Sequence, residues 1–128
     1  MIKIIKLRKF IDERGSLIEN TDLDVMQTSK HFFVSKSKPG VIRGNHYHKK
    51  KIEWFYVIQG KCKIVIKDLL TEKMEEKIIN DSDNVLINMK PNQVHAFQNI
   101  GNNEMILLAL VNEVLDHDRP DTYFYKIL

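Results

Sequence analysis

His46 and His48 flank Tyr47, and Glu53 follows five residues after His48. A further imidazole, His95, lies in the stretch 93–99 (QVHAFQN). Imidazoles and carboxylates hold divalent transition metals, and an imidazole moves protons near neutral pH. Side chains alternate across a strand, so His46 and His48 share one face and Tyr47 takes the other. In 53–59 (EWFYVIQ), Glu53, Phe55 and Val57 share a face opposite Trp54, Tyr56 and Ile58. In 93–99, His95, Phe97 and Asn99 share one. Where such faces meet inside a barrel, His46, His48, Glu53 and His95 form a ligand set for zinc first, or for iron, manganese or nickel. The competing reading is ordinary half-buried polar residues on strands.

The elements that must position these groups are short and closely spaced. Candidate strands run over 2–7, 16–20, 31–36, 41–47, 53–59, 61–67, 75–79, 84–89, 93–99, 104–111 and 122–127. Between them stand turn residues: Asp12 to Gly15, Pro39-Gly40, Gly60, Asn80 to Asp83, Lys90 to Asn92 and Gly101 to Asn103. Gly and Asn tolerate positive φ and Pro fixes φ, which is why they punctuate strands. Residues 69–79 fit a short helix or the second arm of a hairpin; the hairpin gives the simpler up-and-down pair. Many short strands at this spacing predict an all-β jelly roll or barrel.

The chain has 128 residues, one domain's length, taken as a single domain over 1–128. Its one cysteine, Cys62, excludes an intramolecular disulfide and fits a reducing compartment. The N-terminal MIKIIKLRKF lacks the apolar core of a signal peptide, and no apolar run is long enough to span a bilayer. A cytoplasmic protein without membrane contact is expected. Net charge is +3, which suits a small anionic substrate and falls short of a nucleic-acid footprint. The run Lys49-Lys50-Lys51 reads as a solvated loop or a phosphate clamp. The apolar outer face of Trp54, Tyr56 and Ile58, with the run 105–111 (MILLALV), predicts burial against a second sheet or in a homodimer. His31 and His117 lack patterned partners and read as structural or exposed.

Gly40, five residues, His46-Tyr47-His48, four residues, Glu53, six residues and Gly60 resemble the first motif of the cupin family at every position. Pro91, His95, three residues and Asn99 resemble the second. Two glycines of that second pattern are missing, around Asp83-Asn84 and at Gln93. The resemblance implies a cupin jelly roll. DERGSLIE (12–19) resembles the N-terminal segment of cupins that act on nucleotide-linked sugars. RGNHYH (43–48) is similar to stretches in dTDP-4-keto-rhamnose 3,5-epimerases and in sugar 3,4-ketoisomerases. With VHAFQNIG (94–101), VNE (111–113) and RPDTYF (119–124), it looks most like the C-terminal cupin domain of the CapF-type capsular-polysaccharide enzymes.

The resemblance implies an epimerase that enolises a UDP- or dTDP-linked 4-keto-6-deoxy sugar at C3 for surface polysaccharide synthesis. A 3,4-ketoisomerase is the alternative, followed by a metal-dependent dioxygenase or a sugar-binding cupin without turnover. By the same resemblance His46 occupies the base position of the rhamnose-pathway epimerases. Their nearby lysine has no counterpart around Glu53-Trp54-Phe55, which leaves a metal on His46, His48, Glu53 and His95 to stabilise the enolate oxygen. An imidazole that binds metal is a poor free base, so Tyr47, Tyr56 and Tyr123 enter as further candidates. Catalytic roles are thus expected at His46, Tyr47 and His48, and substrate contacts at Arg43, Tyr56 and Lys49. Arginine's planar fork suits a diphosphate.

Overall fold

The structure, a computed structural model, describes residues 2–114 and 116–128. In chain order its elements are β1 (Lys3–Lys6), β2 (Arg8–Asp12), β3 (Gly15–Glu19), α1 (Leu23–Thr28), β4 (His31–Ser37), β5 (Ile42–Tyr47), β6 (Glu53–Gln59), β7 (Lys61–Asp68), β8 (Met74–Asn80), β9 (Val85–Met89), β10 (Gln93–Asn99), β11 (Met105–Val111) and β12 (Tyr123–Phe124). Two five-stranded sheets carry the fold, one in the order β1-β9-β6-β11-β4 and one in the order β12-β5-β10-β7-β8. All their pairings are antiparallel. This is the cupin jelly roll expected from the motifs.

The core lies between the sheets and follows from strand alternation. Along β11, Met105, Leu107, Ala109 and Val111 are buried while Ile106, Leu108 and Leu110 are half-buried. The first four join a core with Phe55, Ile64, Ile87 and Phe97, or line its polar end. The hairpin reading of 69–79 holds: β7 and β8 pair from Lys61↔Asn80 to Lys67↔Met74. Asp68 closes that turn by accepting from the amides of Leu70 and Thr71.

Three expectations change. The strand expected over 2–7 ends at Lys6, and a separate hairpin, β2–β3, follows. The face of Trp54 is buried, but by the chain's own α1 and N-terminal segment: Val25 and Leu7 pack there with Leu86. Farther along the same face Tyr56 is half-buried and Ile58 is exposed. Asp22 caps α1, its carboxylate accepting from the amide of Val25. The last strand is only Tyr123–Phe124. Among the described residues no helix is long and apolar enough to cross a membrane.

Candidate functional site

At one end the two sheets part around a cavity of about 520 Å³. The second sheet supplies three imidazoles. Pairing between β5 and β10 puts His46 opposite His95 and then slips, so that Ala96 faces Gly44 and Asn45 is the extra residue. The bulge needs unusual backbone: Gly44 has φ +92° and Asn45 φ +54°. A Cβ on Gly44 would stand 2.6 Å from the carbonyl oxygen of His95. The sequence Gly44-Asn45 thus makes the bulge that aims His46. Asn45 also anchors the C-terminus, its Oδ1 accepting from the amides of Ile127 and Leu128.

The rings of His46, His48 and His95 gather with centroids 4.8–5.5 Å apart. One ligand nitrogen from each lies within 4.8 Å of the others. Glu53, the first residue of β6, reaches in from the opposite sheet. Its Oε1 is 2.8 Å from His48 Nε2 and 3.4 Å from His95 Nε2. Both are close ion-pair contacts, and all three buried atoms lack a well-formed hydrogen bond. The far nitrogens are held: His48 Nδ1 lies 2.6 Å from the carbonyl oxygen of Asp121, and His95 Nδ1 3.1 Å from that of Gln93. Each Nδ1–H donates to its carbonyl, so in the neutral ring each Nε2 turns a lone pair toward Glu53. Unpaired buried polar atoms are costly. Atoms orphaned together, with their outer nitrogens fixed by backbone carbonyls, are what a divalent ion requires. The donor set, three imidazoles and a carboxylate, fits one.

The electrostatics follow from this crowding. Burial pushes the His46 imidazole down to about 4, and the neighbouring His95 and His48 push the same way. Burial likewise lowers His95, against the pull of Glu53. For His48 burial acts downward, yet the Glu53 carboxylate and the Asp121 carbonyl outweigh it and the net direction is upward. Burial would raise Glu53; the three imidazoles overcome it and hold the carboxyl low.

Arg43 and Lys36 line the same cavity. Arg43 is pinned there, donating through Nε to Ser37 Oγ at 2.6 Å and through Nη2 to the Lys36 carbonyl at 2.9 Å. Three expected residues are not brought to the cavity. Tyr47 points to the other face of β5, where its ring stacks on Tyr123 at 5.3 Å. Tyr56 packs outside the first sheet with the Trp54 cluster. Lys49 is exposed, its ammonium over the Tyr123 ring. Alternation alone dictates the first two positions, and the third lies beyond the end of β5. Tyr123 is also absent from the cavity wall.

Lys51 and His31 also line the cavity. Lys51, the last of the lysine run, is buried rather than solvated, and its Nζ donates to the Pro120 carbonyl at 2.5 Å. His31, at the start of β4, lines the cavity. His117 is exposed. The turn at Lys49–Lys51 is held by Asp121, a contact about 70 residues distant in sequence that no local pattern announces.

Residues 10–123 match the polysaccharide biosynthesis C-terminal domain family. The chain is 33% identical over 114 residues to a UDP-2-acetamido-2,6-beta-L-arabino-hexul-4-ose reductase of Pseudomonas aeruginosa, over 88% of this chain and 29% of that protein. It is 25% identical over 117 residues to a TDP-4-oxo-6-deoxy-alpha-D-glucose-3,4-oxoisomerase of Aneurinibacillus thermoaerophilus, over 89% of this chain and 81% of that one. The solved structure of the capsular polysaccharide assembling protein CapF of Staphylococcus aureus superposes with a TM-score of 0.74 at 30% identity, over 94% of this chain and 34% of that one. The chain spans about a third of the length of the Pseudomonas and Staphylococcus proteins.

Proposed function

The chain belongs to the polysaccharide biosynthesis C-terminal domain family, and from that premise we propose that its cavity isomerises a nucleotide-linked 4-keto-6-deoxy sugar by enolisation. The observation that carries this reading is the convergence of His46, His48, His95 and Glu53, three of them with orphaned polar atoms, on a cavity edged by Arg43 and Lys36. Arg43 and Lys36 suit the diphosphate, the guanidinium as a fork and the ammonium as a point charge. Phe33, Phe55 and Phe97 give the sugar an apolar wall.

Enolisation breaks the C3–H bond. The electron pair becomes the C3–C4 double bond and the carbonyl pair moves to the C4 oxygen. Reprotonation at C3 from the opposite face gives the epimer. Protonation at C4, with loss of the O3 proton, gives the 3-ketone. His46, His48, His95 and Glu53 would hold a divalent ion, zinc first, and that ion supplies Lewis-acid stabilisation of the developing oxyanion. The fixed Nδ1–H bonds of His48 and His95 keep their Nε2 atoms turned inward without reorganisation.

Epimerisation at C3 is the leading outcome. Ketoisomerisation is the second reading, favoured by the match to the Aneurinibacillus oxoisomerase over most of both chains. The test is proton NMR in D₂O with UDP- and dTDP-linked 4-keto-6-deoxyglucose, with and without chelator. Deuterium at C3 with a new diastereomer indicates epimerisation, and a 3-keto product indicates isomerisation. A folded protein that exchanges no proton of either substrate refutes the reading.

A further inference from the structure

With three imidazoles and Glu53 gathered as a ligand set, the C3 proton needs a separate carrier. We propose that His31 is that carrier, the general acid–base of the enolisation; the proposal rests on the functional reading above. Among the described residues, His31 is the one imidazole lining the cavity outside the His46–His48–His95 group. The sheet register fixes where it stands. Val111 of β11 is paired with His31 of β4 on one side and with Glu53 of β6 on the other. Residues paired across antiparallel strands share a face, so His31 and Glu53 project into the same space from Cα positions about 10 Å apart. Buried Val111 lies between them. A pyranose ring bound over Val111 would then have the ligand set on one side and the His31 imidazole on the other.

The ring is held ready for this role. His31 Nδ1 hydrogen-bonds to the Glu113 carbonyl oxygen. A carbonyl only accepts, so Nδ1 carries the proton and Nε2 keeps its lone pair. Phe33, tilted against His31 with centroids 6.4 Å apart, continues through Phe55 to His95 as an aromatic wall. The other lining groups suit the task less. Lys51 is tied to the Pro120 carbonyl, and Arg43 cannot give up its proton. In the step, Nε2 takes the C3 proton, and the C–H pair becomes the C3–C4 double bond as the carbonyl pair moves to oxygen. The imidazolium returns its proton to C4 as the O3 proton passes through water to the C4 oxygen, or water protonates the other face of C3 and the imidazolium proton neutralises the hydroxide left behind.

The experiment uses the full chain with UDP- and dTDP-linked 4-keto-6-deoxyglucose in D₂O. His31→Ala should slow C3 exchange by at least about 100-fold. KM should change far less than kcat, and added imidazole should restore part of the rate. Cobalt(II) binding to the His46–His48–His95 group should be unchanged. His31→Gln, which can still donate to the Glu113 carbonyl, should fold like the parent and be equally slow. Exchange within a few-fold of the parent in either variant overturns the proposal, as does a loss confined to KM that imidazole does not rescue. A parent protein that exchanges no proton refutes the functional reading itself, and His31's role with it.

Discussion

Replacing Asp121 tests whether the C-terminal segment holds the site in shape. Asp121 sits at φ +49° beside the turn after β5. Its Oδ1 accepts from the Lys49 amide at 2.9 Å, and its Oδ2 from the amides of Lys50 and Lys51 at 2.9 and 3.0 Å. Its main-chain carbonyl holds His48 Nδ1, and the preceding carbonyl holds the Lys51 ammonium. A sheltered hydrogen bond to a charged acceptor contributes about 1.5–3 kcal/mol. Lys49 and Lys50 are exposed, so their bonds count for about 0.5 kcal/mol each and that of Lys51 for about 1 kcal/mol. The carboxylate then contributes about 2 kcal/mol. Alanine adds about 1 kcal/mol, because positive φ disfavours a residue without a short polar side chain. Asp121→Ala should therefore lose about 3 kcal/mol in urea unfolding at pH 7, and Asp121→Asn, which tolerates the backbone and keeps one acceptor, about 1 kcal/mol. Burial pushes the Asp121 carboxyl up, but the three amides and His48 outweigh it and hold it below its usual range. With the folded value depressed, the parent's advantage over Asp121→Asn is full above the ordinary carboxylate value, about pH 4. It is lost as pH falls through the lower, folded value. An Asp121→Ala protein with the parent's urea midpoint, or a gap to Asp121→Asn that persists into strong acid, refutes the clamp.

Three further outcomes follow from the same geometry. Cobalt(II) added to metal-free protein should give a visible ligand-field band, and His95→Ala should weaken binding by more than about 100-fold; a parent without such a band counts against the ligand set. In metal-free protein the His46 ring proton followed by NMR should titrate near 4, so stability is full above the unfolded value of about 6.5 and declines as pH falls toward the folded one; a midpoint above the ordinary histidine value contradicts the burial argument. Gly44→Ala, whose Cβ would meet the His95 carbonyl oxygen at 2.6 Å, should cost about 3 kcal/mol or more in urea unfolding, and a neutral result would mean that the bulge relaxes.

The convergence of His46, His48, Glu53 and His95 was legible because its spacing rides on strand alternation. His46 and His48 share a face of one segment and Glu53 opens the next, so the residues carry their own geometry. The same alternation places Tyr47 and Tyr56 away from that face; their candidacy came from chemistry, not position. The missing glycine at Gln93 proves harmless, since the positive φ falls on Asn92, at +64°, and Gln93 Oε1 accepts from the Lys90 amide to close the turn. Asn84, at φ +55°, does the same for the other missing glycine. What stayed hidden rests on distant pairing. His31 gains meaning only once β11 is seen between β4 and β6. Helix α1 spans six residues, too short for helical periodicity to register.

The two sheets divide the labour of the site unequally. The second supplies three imidazoles close together, where their mutual repulsion and burial disfavour charge on His46 and His95. The first supplies Glu53 and His31, separated by Val111. The polar end would collapse if it were filled like the other end, where Ile64, Ile87 and Met105 close the gap between the sheets. It stays open because imidazoles and a carboxylate cannot pack against each other without satisfying their polar atoms, and three of those atoms are left unsatisfied. The apolar end must therefore hold the register that the polar end strains. Replacing His95 and Glu53 together by apolar residues of similar volume would remove that strain and raise stability while abolishing the site. The unpaired buried atoms of His48, Glu53 and His95 carry a cost in stability that an apolar filling would not.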